Sequence, residues 1–338
     1  MTTRRVSVLT LISIASLGLV SSAQGPQHKM SASRPYTAPR NAFGQPDLEG
    51  RWENNSITPL QRPAEWADKT TLTETEVKQL KAASRRLEES GDALFGDELV
   101  LDVLKGQQAP VSHDTETGNY NGFWLPSRDI DNRTSLIVDP PDGRIPPLTP
   151  QAQARRAAAA ERRRLHPADG PESRGLSERC ITFGVPRFGA AYSSVYEIVQ
   201  SPTAAVFRME TIHDARVIPL DRSAHLGKAI EQWMGNSRGH WEGETLVVET
   251  RGFTDKGGFI GSATGHLVER FTRVAENVLQ YDATMNDPGT WTRPWTARIL
   301  FKKIDEPLLE YACHEGNQGM FGILSGARHQ EAGQNPTR

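Results

Sequence analysis

From Cys180 onward the chain is a succession of short runs in which apolar and polar residues alternate. That alternation narrows the available folds more than any other feature. "HLVERFTRVAENVLQYDATMND" (266–287) holds two such runs on either side of Ala275 to Asn277, and "HWEGETLVVETRGF" (240–253) holds two more around Glu242 to Glu244. Successive side chains of a strand point to opposite faces, so a period of two builds a sheet with one wet and one dry face. "VYEIVQSPTAAVFRMETIHDARVIPL" (195–220) adds two or three strands around a Ser-Pro turn; "TWTRPWTARILFKKID" (290–305) and "PLLEYACHE" (307–315) complete the series. Runs spaced about 10 to 15 residues apart, with polar turns between them, spell an antiparallel meander. No GxGxxG, P-loop or strand–helix alternation occurs, which argues against a doubly wound fold. The expected fold is mainly β: a meander forming a lipocalin-like barrel, because closure removes exposed strand edges, with a β-sandwich as the alternative.

A few peripheral helices precede the meander. "TLTETEVKQLKAASRRLEES" (71–90) spaces Leu72, Val77, Leu80 and Leu87 as a helix does, with Thr73 as cap and an acid three residues on. "TPQAQARRAAAAERRRL" (149–165) has Thr149 as N-cap and Pro150 at the first helical position. Between them, "TSLIVDPPDGRIPPL" (134–148) predicts a hairpin turned by Pro-Pro-Asp-Gly, and residues 106–122 a polar loop. A short strand is expected around Arg51 to Asn54.

The N-terminus sets the compartment. Arg4 and Arg5, the apolar run Val6 to Val20 and the small residues Ser21 to Ala23 form a secretory signal peptide, cut after Ala23. The apolar run is too short to be a membrane anchor. The expected divisions are a signal peptide (1–23), an extended leader (24–45), one β-rich domain (46–330) and a flexible tail (331–338). Within the domain, 46–170 carries the helices and 178–315 the meander. A periplasmic or secreted location follows. Loss of Arg4 and Arg5, with no acid among residues 1–23, takes the net charge from −2 to −4. Such a balance gives no basis for nucleic-acid binding. Both cysteines, Cys180 and Cys313, lie in the exported part, where thiols pair; a disulfide between them is expected, and it removes Cys313 as a nucleophile.

The phrases "SLIVDPPDGRIPPLTP", "GHWEGETLVVET", "DPGTWTRPWT" and "YACHEGN" resemble a large family of exported, functionally uncharacterised bacterial proteins. The resemblance runs from about Asp47 to Arg328 and implies export and one continuous barrel-like domain. It carries no catalytic assignment. A weaker, fold-level similarity is to lipocalin-like barrels, some of which are enzymes.

Candidate chemistry rests on ionisable residues within the strands. Read as one extended run, 206–217 places Arg208, Glu210, Asp214 and Arg216 on one face and His213 among apolar neighbours on the other. Exposed ion pairs are the plainer reading of that charged face. Glu269, in phase with Leu267 and Phe271, needs a partner or a raised pKa if buried. The expected proton-transfer set is His213, Asp214, Glu269, His314 and Glu315, with Arg216, Arg270 or Arg293 holding an anionic oxygen. Trp291, Arg293 and Trp295 share a face if extended, and with Trp233 they offer a platform for a flat ligand. No HExxH, paired-cysteine or calcium-loop spacing is present, so no metal or other cofactor is expected; a site assembled from His213, His240 and His314 is the remaining alternative. The sequence therefore favours a cofactor-free acid–base enzyme (a lyase, isomerase or hydrolase) acting on a small organic molecule. The alternative is a non-catalytic periplasmic carrier of an apolar or aromatic ligand.

Overall fold

The structure is a computed structural model and describes residues 36–90, 128–189, 194–227, 229–255 and 264–334. The expected signal peptide, the start of the leader, the 106–122 loop and the last residues of the tail lie outside the described residues. Ten strands form one sheet: β1 (Gly50–Glu53), β2 (Ile137–Asp139), β3 (Val195–Gln200), β4 (Ala204–Met209), β5 (Ala215–Pro219), β6 (Asn236–Glu242), β7 (Thr245–Arg251), β8 (His266–Ala275), β9 (Val278–Asn286) and β10 (Trp295–Ile304). Their order is β5-β4-β3-β1-β10-β9-β8-β7-β6, with β2 added against β10, and each pairing is antiparallel.

The meander follows the alternation closely. Leu267, Glu269, Phe271 and Arg273 of β8 point inward, as do Leu279, Tyr281, Ala283 and Met285 of β9 and Trp295, Ala297, Ile299 and Phe301 of β10. Burying the leucine, isoleucine, phenylalanine and methionine side chains among these contributes about 1.5 to 3 kcal/mol apiece, which is what fixes the register. Between β6 and β7, Gly243 supplies the positive φ (60°) of a two-residue turn that matches the strand twist.

The sheet curls until its two edges, β5 and β6, come side by side, yet no backbone ladder joins them. Side chains bridge the seam instead: Arg216 on β5 donates to Ser237 Oγ on β6 at 3.0 Å. Gly239 on β6 allows the approach, since a Cβ there would stand 2.7 Å from Leu220 and 2.9 Å from Ile218. The mainly β meander is therefore present, but the sheet stops short of a hydrogen-bonded barrel.

The helices are α1 (Glu74–Ser90), α2 (Pro150–Leu165) and α3 (Gln318–Gln334). At the start of α1, Thr73 Oγ1 accepts from Glu76 N (3.3 Å) while Glu76 accepts from Thr73 N (2.8 Å), a reciprocal capping box. Leu80 then packs with Leu72 and Ile130 in a small cluster apart from the main core. Thr149 caps α2 through Ala152 N, and Ala152 is the helix's buried residue.

Three expectations need correction. The hairpin at 134–148 does not form: β2 pairs with β10, because the return leg carries Pro146 and Pro147, which lack the N–H a ladder needs. The run 206–217 is not one strand; a short 3-10 turn at Thr211–His213 breaks it, with Ile212 and His213 at φ 57° and 55°. "PLLEYACHE" is irregular chain and turn, and the following segment, whose glycines argue against a helix, forms α3 and includes the start of the expected tail. The described end of the leader packs on the domain: Ala38 is buried, and Arg40 pairs with Glu244.

Candidate functional site

Inward-facing aromatic rings line one end of the interior. Phe207 packs on Phe271 (4.7 Å between centroids), Phe271 on Tyr281 (4.8 Å), Tyr281 on Phe301 (5.4 Å) and Phe301 on Tyr196 (5.2 Å). The rings come from β4, β8, β9, β10 and β3, so the belt reaches across strands distant in sequence. Against it lies a cavity of about 20 Å3, bounded further by Val185, Met209 and Arg187.

Arg216 and Glu269 meet in the wall of this cavity. The guanidinium reaches both carboxylate oxygens, at 3.1 Å and 2.6 Å, and both side chains are nearly sealed from solvent (6% and 2% exposed). Thr250 and Ser237 take further donors of Arg216 at 3.1 Å and 3.0 Å, and the Tyr281 hydroxyl donates to Glu269 at 2.8 Å. Burial works against the Arg216 charge, but the adjacent carboxylate more than offsets it and holds the pKa above the ordinary arginine value. Tyr281 is pushed well up, first by burial and then by the Glu269 charge, so it keeps its proton and stays a donor. A bidentate, fully bonded carboxylate of this kind is an ion-pair member held in place.

The rim of the cavity is irregular chain. Val185, Pro186 and Arg187 come from the segment that follows Cys180, and Cys180 is bonded to Cys313 (Cα–Cα 5.7 Å). Arg187 donates to the Thr211 hydroxyl, and its guanidinium lies over the Phe183 ring at 4.9 Å. Phe183 meets Tyr311 edge-on at 6.3 Å, and Tyr311 N faces His213 Nε2 at 3.5 Å. Asp214 accepts from Thr182 Oγ1 (2.7 Å) and Phe183 N (3.3 Å). Burial raises its pKa, and those hydrogen bonds with the Arg187 charge pull the other way.

Of the expected proton-transfer set, only Glu269 borders the cavity. His213 is exposed in the turn, and Asp214 is buried behind the rim. His314 and Glu315 are exposed in the turn after the disulfide, because "YACHE" is not a strand. Among the expected binding residues, Arg216 lines the cavity, whereas Arg270 is on the outer face paired with Glu242 (2.8 Å). Arg293 pairs with Asp139 in solvent. Trp291 and Trp295 are buried against each other, edge-on at 5.4 Å, so they form core and not an open platform. The reason is that "TWTRPW" bends before β10 begins at Trp295. Trp233 is half-buried outside the residues that line the cavity. His240 bonds Glu242, and among the described residues no group of His, Cys, Asp and Glu could hold a metal ion.

Sequence reasoning missed Tyr281, Tyr196, Phe207 and Arg187. The first three follow from alternation, since Tyr281 is in phase with Leu279 and directly opposite Phe271. Arg187 sits in "GVPRFG", which has no period to read. No family model, curated protein or solved structure matches the chain, so no residue role is inherited from a relative.

Proposed function

We propose that the protein is a small-molecule binding protein that takes the end of a mainly apolar ligand into the aromatic cavity. The observation that carries this reading is the cavity's lining. Its rings and Met209 offer apolar contact, while its one carboxylate, Glu269, is spent on Arg216. Convergent charge would favour an enzyme; a mostly aromatic wall favours binding. The size limits what enters. One water needs about 10 to 15 Å3, so about 20 Å3 accommodates an end group, with the remainder of the ligand against the rim. The disulfide supports an oxidising setting, and we place the activity outside the cytoplasm. Among the described residues no helix is long and apolar enough to cross a membrane.

Tryptophan-fluorescence titration of the full chain against small aromatic and aliphatic acids, amides and alcohols, followed by mass analysis, tests the reading. Saturable binding with the ligand recovered unchanged is the expected result. Met209→Trp, which overfills the cavity, should remove that binding, at a cost of about 1 to 3 kcal/mol of stability. A ligand recovered with altered mass would overturn the proposal in favour of acid–base catalysis.

A further inference from the structure

We infer that the bound group is a carboxylate, held at the one cavity that Arg187, Tyr196 and Arg216 line together, so that the ligands are small acids with an apolar body. The inference rests on the binding reading above and names the class of ligand. It comes from counting donors and acceptors around the cavity. Three charged residues line it: Arg187, Arg216 and Glu269. Arg216 and Glu269 neutralise each other, leaving the lining with the positive charge of Arg187. The nearby acid, Asp214, is hydrogen-bonded to Thr182 and Phe183 and feels the Arg187 charge without a salt bridge to it among the described residues.

The acceptors are used up. Both Glu269 oxygens are taken, by two Arg216 nitrogens and the Tyr281 hydroxyl. The donors are not. Arg216 Nε is buried with no partner, although both terminal nitrogens of the guanidinium are hydrogen-bonded. Arg187 spends one nitrogen on Thr211 and lies with its face over Phe183, which fixes the fork without occupying it. Tyr196 also lines the cavity, and burial raises its pKa, so its hydroxyl keeps its proton. A buried donor without an acceptor is destabilising, and an acceptor-only group offsets that loss. A carboxylate is such a group, and a guanidinium binds it in two prongs. The small cavity and the single unneutralised guanidinium suit a monoanion.

The test uses two isosteric pairs as probes: benzoate with benzamide, and butyrate with butyramide. Each is titrated into the full chain by calorimetry. Each acid should bind at least about tenfold tighter than its amide, the worth of one charge-assisted hydrogen bond. Arg187→Gln should remove that preference while leaving amide binding in place. Tyr196→Phe, which keeps the ring stack, should weaken the acid alone; it serves if Arg187→Gln does not fold. Amides binding as tightly as acids to the unmodified protein would overturn the carboxylate inference and leave the binding reading standing. No binding of either member of either pair would overturn both.

Discussion

Arg208 and Arg216 lie on adjacent strands of the same sheet, each within reach of a glutamate, and their surroundings are opposite. Arg208 on β4 faces outward and meets Glu197, its direct cross-strand neighbour, at 2.8 Å, with the two side chains 51% and 28% exposed. Arg216 on β5 faces inward and meets Glu269 at 2.6 Å with almost no exposure. Water and salt screen the first pair, which is worth well under about 1 kcal/mol. The second has lost its water, so each charge depends on its partner and on the hydroxyls of Ser237, Thr250 and Tyr281. The difference arises in the turn between the strands: Thr211 to His213 shifts the phase of the chain, so that Val217 is turned out to solvent (63% exposed) and Arg216 is turned in.

The strongest way to break this comparison is to remove one inward partner. Glu269→Ala should cost about 3 to 5 kcal/mol in urea unfolding, because Arg216 is left buried and unpaired. Replacing both, as Arg216→Met with Glu269→Leu, should recover most of that loss; a single variant costing less than about 1 kcal/mol would mean the pair is wetter than its burial indicates. Next, the rim: Cys180→Ser with Cys313→Ser should cost about 2 to 4 kcal/mol. Hydrogen exchange should then rise in 180–188 and 311–317 while β8 to β10 stay protected, which would separate the stapled rim from the sheet beneath it.

Glu53 is an intermediate case, on the outer face of β1 but half-covered and without an arginine. Burial, with Glu306 and Glu210 nearby, pushes its pKa up to about 7 from 4.5. The folded state therefore binds the proton more tightly than the unfolded one. Its stabilising contribution is complete below about pH 4.5 and is lost as pH rises through about 7. Glu53→Gln should gain about 1 to 2 kcal/mol at pH 8 and nothing at pH 4, read from thermal melts across that range. The smallest effect belongs to the outer pair: Glu197→Gln should change stability by less than about 0.5 kcal/mol, and less again at high salt.

The meander was legible because one dry face imposes a period of two, and the same rule put Glu269 inside. The partner of Glu269 was not legible as such. Arg216 was read on one face with Arg208, and only the left-handed residues Ile212 and His213 separate the two. Nothing in their side chains announces a positive φ. The cysteine pairing was readable from the expectation of export and from the number of cysteines alone. The histidines misled, because His213 and His314 were assigned to strands that the chain does not make. Arg187 was invisible, since an irregular rim is positioned by the Thr211 bond, the Phe183 ring and the nearby disulfide, none of which leaves a pattern.

The unladdered seam between β5 and β6 has a bearing on concentration. Each strand presents a row of unpaired backbone groups, and at present each row is shielded by the other. If the seam parts, two pairing templates open in a single molecule. Reclosing is a first-order event, while capture by a second chain is second-order. A parted seam would therefore make stacking into larger species depend on concentration, and a side chain in place of Gly239 would favour parting, because its Cβ would stand 2.7 Å from Leu220.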